Sequence, residues 1–236
     1  MTVSDPKAHY VRSLFSKVPY EYDLLLSLLT FRQDQHWRTK VVSITSPRDY
    51  ALDVATGTGL LATDLARSLP ANGLVVGVDL TLSMLKTARK RLRDKDLQHR
   101  VDWVLARAEN LPFRSESFDS ATISLALRNV SSARDTLVEM SRSTRPDGTV
   151  ASLDFTRPNN PFFKIIYYDY LLGIFPLLGR IISKAWGDTL AYLGRSILRA
   201  RTGEQVSKLM TNVGLENSRH VSLTMGIVNI VYGKKR

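Results

Sequence analysis

From Tyr50 onward, short apolar runs alternate with stretches in which apolar residues recur at helical spacing. The runs suit strands buried on both faces and the stretches suit one-sided helices, so the pattern predicts a parallel sheet covered by helices. Tyr50–Val54 reads as a strand, Gly59–Leu69 as the helix after it, and Pro70-Ala71-Asn72-Gly73 as the stop. Leu74–Asp79 is the second strand. Ser83–Arg93 carries Met84, Leu85, Ala88 and Leu92 on one face and Lys86, Arg89, Lys90 and Arg93 on the other, an amphipathic helix. Val101–Leu105 and Phe118–Leu125 read as further strands, Ala133–Thr144 as a helix, and Arg145-Pro146-Asp147-Gly148 as a turn into a fifth strand, Thr149–Asp154. Arg219–Thr224 and Ile227–Gly233, joined at Met225-Gly226, read as an antiparallel pair on one edge. The expected fold is α/β: a doubly wound sheet, mostly parallel, with an antiparallel edge strand pair.

Asn159 to Trp186 breaks this rhythm, being dense in aromatic and aliphatic residues punctuated by Lys164, Asp169, Arg180 and Lys184. Its longest uncharged run, Tyr170 to Gly179, is ten residues, well under the roughly 20 that span a bilayer, so no crossing is expected. Such a stretch suits a buried lid, a dimer face or a surface lying on lipid.

With 236 residues, the chain is expected to form one domain with an elaboration. It contains no cysteine and only four histidines without ligand spacing, so disulfides, thiolate chemistry and a metal site are not expected. The first residues mix charges into their apolar positions, unlike a signal peptide, and a cytoplasmic protein is expected. Net charge is +11, with 12 basic and 4 acidic residues from Phe155 to Arg236. That basic third calls for an anionic partner, either nucleic acid or an acidic membrane surface. No recognisable RNA module is present, which favours the membrane.

The chemistry concentrates at Asp53-Val54-Ala55-Thr56-Gly57-Thr58-Gly59, where a strand turns into a helix, with Asp79 ending the next strand 20 residues beyond Gly59. Glycines let the backbone approach a ligand, turn amides donate, and a carboxylate at the second strand end can accept both hydroxyls of a ribose. The pattern points to an adenosine-containing cofactor and leaves NAD and S-adenosylmethionine (SAM) both open. Asp53 either touches the ligand or only fixes the turn, and Asp79 has a plain helix-capping alternative.

Further motifs follow in order: Ala108-Glu109-Asn110-Leu111-Pro112-Phe113, Ser117-Phe118-Asp119, Leu127-Arg128-Asn129-Val130 and Arg145-Pro146-Asp147-Gly148. Together with the glycine turn they resemble the class I SAM-dependent methyltransferases. Phe15 to Asp23, Gln33-Asp34-Gln35-His36-Trp37-Arg38, Leu127-Arg128-Asn129, Asp154-Phe155-Thr156-Arg157-Pro158 and the C-terminal Tyr232-Gly233-Lys234 are similar, more narrowly, to the ubiquinone/menaquinone biosynthesis C-methyltransferases (UbiE/MenG type). The resemblance covers nearly the whole chain. It departs from the family at Arg107, where Asp or Asn is usual, at Arg32, where glycine is common, and at Gly194-Arg195 and Ala200-Arg201.

The resemblance implies SAM-dependent C-methylation of a polyprenylated quinol, with S-adenosylhomocysteine as product. Another small-molecule or lipid methyltransferase is the nearest alternative, with an RNA-acting protein and a NAD-dependent oxidoreductase further off. It implies that Gly57, Thr58 and Gly59 hold the amino-acid part of the cofactor, Asp79 the ribose, Met84 one adenine face, Arg107 and Ala108 the adenine edge, with Ser124 ending the fourth strand. Methylation at carbon needs a quinol oxygen to ionise, although a free phenol titrates near ~10. Arg128 is a candidate cation for that oxyanion, with loop anchoring through a carboxylate as its structural alternative. Asn129 is a second donor, and Tyr22, Asp34 and His36 are candidates for proton removal or substrate orientation. The implied organisation is a single 1–236 methyltransferase domain, an N-terminal helical cap over 1–45 and a substrate lid over 159–200. Homodimerisation through the apolar stretch and peripheral contact with the inner face of the membrane complete the expectations.

Overall fold

The structure is a computed structural model that describes residues 5–16, 27, 30–93, 97–158 and 160–236. Seven strands form one sheet in the order β3-β2-β1-β4-β5-β7-β6: β1 Tyr50–Val54, β2 Leu74–Asp79, β3 Val101–Leu105, β4 Phe118–Ser124, β5 Thr144–Phe155, β6 Leu215–Leu223 and β7 Val228–Lys235. The first five strands pair in parallel. β7 runs antiparallel between β5 and β6, so the expected antiparallel pair sits on one edge of the sheet.

Among the described residues the helices are α1 Pro6–Phe15, α2 Gln33–Thr45, α3 Leu60–Ser68, α4 Leu82–Arg93, α5 Ala133–Ser143, α6 Pro161–Asp169, α7 Phe175–Ile182, α8 Lys184–Leu198 and α9 Gly203–Asn212. Local chemistry marks several starts. Asp5 accepts the amides of Lys7 and Ala8 just before Pro6 opens α1, Asn160 does the same ahead of Pro161 in α6, and Thr202 with Gln205 forms a capping box on α9.

Side-chain alternation in the strands feeds two apolar layers. Ala51, Ala151, Leu153 and Phe155 join Trp37, Leu61, Leu65, Tyr167, Leu171 and Leu190 on one face. Leu52, Val54, Ile123 and Val150 join Leu137, Met140 and Met210 on the other.

Four features depart from the sequence expectations. β5 begins at Thr144 and takes in the turn through Gly148, with a register shift opposite Phe118 and Ser120. β6 begins at Leu215, ahead of Arg219, and α9 had no counterpart in the sequence reading. Counting uncharged residues also understated the length of the apolar stretch: Pro161–Ile182 is one 22-residue helical run with a mean hydropathy of 1.5 in its most apolar window, long and apolar enough to cross a membrane by length and composition, with 22% of that window buried in the protein. The helix continues through Lys164, Asp169 and Arg180, so single charges do not delimit it.

Candidate functional site

A cavity opens at the carboxyl ends of β1 to β4, where the strand order reverses between β1 and β4. That reversal splays the connections apart and is where open α/β sheets hold their ligands. The turn after β1 supplies Ala55 to Thr58, the end of β2 supplies Asp79 to Thr81, the end of β3 supplies Ala106 to Glu109, and the end of β4 supplies Ser124 to Ala126.

The glycine turn is shaped for close approach. Gly57 and Gly59 have φ of +57° and +79°, and Gly59 caps α3. A Cβ on Gly57 would meet no protein atom within 4 Å, whereas one on Gly59 would lie 2.6 Å from the Trp103 ring. Gly57 therefore leaves room facing a ligand site, and Gly59 serves the packing beneath it.

Asp79 accepts the Gly57 amide through Oδ2 at 2.9 Å and the Thr81 amide through Oδ1 at 2.8 Å. These bonds hold the carboxylate against the turn at the cavity edge, while burial pushes its pKa up. Asp53 lies deeper and accepts from Thr56 Oγ1 at 2.6 Å and Thr122 Oγ1 at 3.0 Å. Burial, opposed by those bonds and helped by the nearby Asp79 charge, raises it to about 7. Asp53 is thus fastened to the turn, and it also lines the cavity. Met84 is buried in the first turn of α4 and lines the cavity, as do Ala108 and Ser124.

Arg107 turns towards the N-terminal helix: its Nη2 donates to Ser131 Oγ at 3.1 Å and reaches Asp5 at 3.4 Å, and its Nε lies 3.4 Å from Glu109. Lys7 of α1 donates to the carbonyls of Arg128 and Val130 at 3.2 and 2.6 Å. Through these contacts α1 lies over the cavity and lines it with Ala8, Val11, Arg12 and Phe15. Asp5, Lys7 and Ser131 were missed in the sequence, where nothing links a helix cap to a residue about a hundred positions away.

Arg128, expected either as a cation beside the quinol oxyanion or as a loop anchor, has a carboxylate partner in the structure. Its side chain is 4% exposed and pairs with Asp154 through Nη1, its Nε donates to Ser196 Oγ at 3.2 Å, and its amide donates to the other Asp154 oxygen at 2.9 Å. The guanidinium also stacks over Phe155, 5.3 Å from the ring centroid. Its charge is matched by a carboxylate, and it is not among the residues that line the cavity. Its neighbour Asn129 does line the cavity, with its Oδ1 accepting from Tyr192 Oη at 3.2 Å.

Asp34 also reaches the cavity, buried and ion-paired to Arg38 at 2.6 Å, while Arg38 also binds Asp64 at 2.7 Å. His36 is exposed and away from the lining. Tyr22 lies outside the described residues. Trp37 is a residue the sequence reading used only as part of a motif; it lines the cavity, and its Nε1 donates to Thr224 Oγ1 at 2.8 Å.

A family model described as the ubiE/COQ5 methyltransferase family matches residues 1–235. A ubiquinone/menaquinone biosynthesis C-methyltransferase of Citrifermentans bemidjiense is 35% identical over 232 residues, covering 97% of each chain. The protein of the same name from Erwinia tasmaniensis is 35% identical, covering 98% of this chain and 92% of that one. Among solved structures, a SAM-dependent methyltransferase from Aquifex aeolicus matches with a TM-score of 0.61 at 16% identity, covering 84% of this chain and 89% of that one. Another, from Thermotoga maritima, matches with a TM-score of 0.67 at 19% identity, covering 95% and 99%. The sheet is thus that of the class I methyltransferases.

Proposed function

The chain belongs to the ubiE/COQ5 methyltransferase family, and we propose that it transfers a methyl group from SAM to a ring carbon of a polyprenylated benzoquinol or naphthoquinol in ubiquinone or menaquinone biosynthesis. The observation that carries this reading is the two-part lining of one cavity. One end is the glycine turn with Asp53 and Asp79. The other is a wall of Val11, Phe15, Trp37, Leu125 and Leu153, with Asn129, Asp34, Arg12 and Arg38 among its polar groups.

The residues present fit an adenosine-bearing methyl donor: the Gly57 cradle leaves room for it, and Asp79 presents a carboxylate at the second strand end. When bound, SAM supplies a methyl already activated as an electrophile on a sulfonium. Thr58 and the glycine amides then hold its amino-acid part, Asp79 its ribose, and Met84 with the Arg107-Ala108 backbone its adenine. The chain's remaining work is to align a ring carbon with that methyl and exclude water. The apolar wall packs the ring and the start of its tail, and α1 covers the opening. Asn129, braced by Tyr192, donates its amide N–H to a quinol oxygen. Asp34 is the proposed proton acceptor among the described residues, with Tyr22 retained as a candidate for orienting the ring. Arg128 acts through Asn129, as a positioning residue clamped to Asp154. A tailed quinol resides in lipid, so the enzyme works from the cytoplasm at the inner face of the membrane.

Calorimetric titration with S-adenosylhomocysteine, alongside NAD as a control, tests the cofactor end. Binding of the former alone is expected, and its failure in folded protein overturns the assignment. Assays with isotopically labelled SAM on demethylmenaquinol and on a ubiquinol precursor test the other end, with label expected on a ring carbon of at least one.

A further inference from the structure

Nine of the sixteen large apolar side chains exposed among the described residues lie within Pro161–Ile182. Phe162, Ile165, Leu177 and Ile181 are between 60 and 76% exposed and gather on one helical run, whereas the surface of a soluble monomer scatters such residues singly. The opposite side of the same run is buried: Tyr167, Leu171, Phe175 and Gly179 follow one another at intervals of four residues. In a regular α-helix each such step drifts by about 40° around the axis. The π-helical turn Tyr170–Ile174, between α6 and α7, winds more loosely and takes back that drift. One straight edge of the run therefore stays in the protein, and one straight edge faces out.

Glycines fasten the inner edge. A Cβ on Gly179 would lie 2.7 Å from the Trp186 carbonyl oxygen, and one on Gly194 would lie 2.4 Å from that of Leu171. At these points α7 and the π turn touch the backbone of α8 directly. For the run to cross a bilayer it would have to leave these contacts and withdraw Tyr167, Leu171 and Phe175 from the core. Lying flat requires none of this.

We propose that the outer edge of Pro161–Ile182 lies in the plane of an anionic phospholipid interface, its apolar side chains below the headgroups and its cations among them. Charge selects this occupant. From Pro161 to Lys184 the exposed charges are Lys164, Arg180 and Lys184 against Asp169 alone, a composition that anionic headgroups complement. A two-fold contact with a second copy would instead bring these cations towards one another. The same hairpin reaches the cavity wall, because Tyr192 of α8 holds Asn129 and packs edge-on against Tyr10 of α1, with ring centroids 5.6 Å apart. The lipid-facing edge and the lid over the cavity are thus mechanically joined. The surface deepens the peripheral placement proposed with the quinol substrate, yet lipid contact is measurable with neither quinol nor SAM present.

Because the chain has no cysteine, Ile181→Cys carries a thiol-reactive, environment-sensitive fluorophore at one position, and Lys86→Cys on α4 gives a control label far along the chain. With vesicles of phosphatidylglycerol and phosphatidylcholine, the label at 181 is expected to shift to the blue and the control label to stay unchanged. Unlabelled protein should sediment with these vesicles more than with pure phosphatidylcholine. Ile165→Ser with Ile181→Ser, and separately Lys164→Glu with Arg180→Glu, should each weaken vesicle binding by roughly tenfold or more while leaving S-adenosylhomocysteine binding intact. No sedimentation of protein that still binds S-adenosylhomocysteine overturns the surface and leaves the cofactor reading standing. Undiminished vesicle binding by both pairs of variants also overturns it, as does a dimer in vesicle-free solution that the Ile165→Ser, Ile181→Ser variant abolishes. Retention of the protein in membranes through alkaline carbonate washing would mean spanning, and would overturn the in-plane placement.

Discussion

Arg107 and Asp5 stand 3.4 Å apart across 102 positions of sequence, joining the end of β3 to the cap of α1 over the cavity. A cation at a position where the family usually has an acid or amide is here a tether. Hydrogen bonding from Ser131 holds Asp5 below the usual carboxylate range, with the Lys7 and Ala8 amides and Arg107 adding to it.

Cutting the tether should free the lid before it affects the fold. In Arg107→Ala the dissociation rate of S-adenosylhomocysteine is expected to rise by roughly threefold to tenfold, as for loss of one exposed charged contact, with little change in thermal midpoint. Stopped-flow displacement measures the rate. An unchanged rate would mean that α1 stays in place without the ion pair.

The two turn glycines should separate binding from stability. Gly57→Ala introduces only the left-handed backbone cost of about 1 kcal/mol and places a methyl in the open cradle, so cofactor affinity should fall more than stability. Gly59→Ala adds the clash with Trp103 and should cost about 2–3 kcal/mol of stability. Denaturant melts and calorimetric titration of both variants give the comparison.

Asp53 sets a pH dependence. Its pKa stands at about 7 in the fold against 3.8 for the free group, so between those values the folded chain holds a proton that the unfolded chain has lost. Its contribution to stability is complete below the lower value and is lost as pH rises towards the upper one, by up to about 4 kcal/mol. Asp53→Asn should flatten unfolding free energy over pH 4 to 7. A bound cation favours the ionised carboxylate, so wild-type affinity for S-adenosylhomocysteine, which carries an ammonium, should rise over the same interval, with proton release visible in calorimetry.

Removing one partner of the Arg128–Asp154 pair strands a buried charge. Arg128→Met should therefore destabilise by about 3–5 kcal/mol, and Arg128→Met with Asp154→Leu should recover much of that loss. If Arg128 is only a positioning residue, the double variant regains part of the activity as Asn129 returns to place. A direct contact with the quinol predicts a turnover that stays down while stability returns.

Arg32 has φ of 61° at the start of α2, a backbone shape that costs a side-chain-bearing residue about 1 kcal/mol and glycine almost nothing. Arg32→Gly should raise the thermal midpoint by about 2–4 °C in calorimetry.

That last position shows how far the sequence alone could be read. It was visible as a departure from the family, but only φ explains why glycine belongs there. Local signals placed the strands and the helices between them, because side-chain alternation, helical period and glycine or proline punctuation all act over a few residues. The turn from Asp53 to Gly59 and its partner Asp79 were legible for the same reason, since two consecutive βα units set their spacing.

Contacts across long separations were decided in three dimensions. The partner of the Arg128 guanidinium depended on where β5 brought Asp154, and the partners of the Arg107 side chain depended on how the N-terminal helix crossed the cavity. The apolar stretch divided into a buried and an exposed edge only when a π turn and the contacts at Gly179 and Gly194 set it against α8. Periodicity records which side of a helix is apolar; it does not record what packs on that side. That assignment comes from burial and charge pairing between elements far apart in the chain, where the free energy of each contact depends on the neighbours that the whole fold supplies.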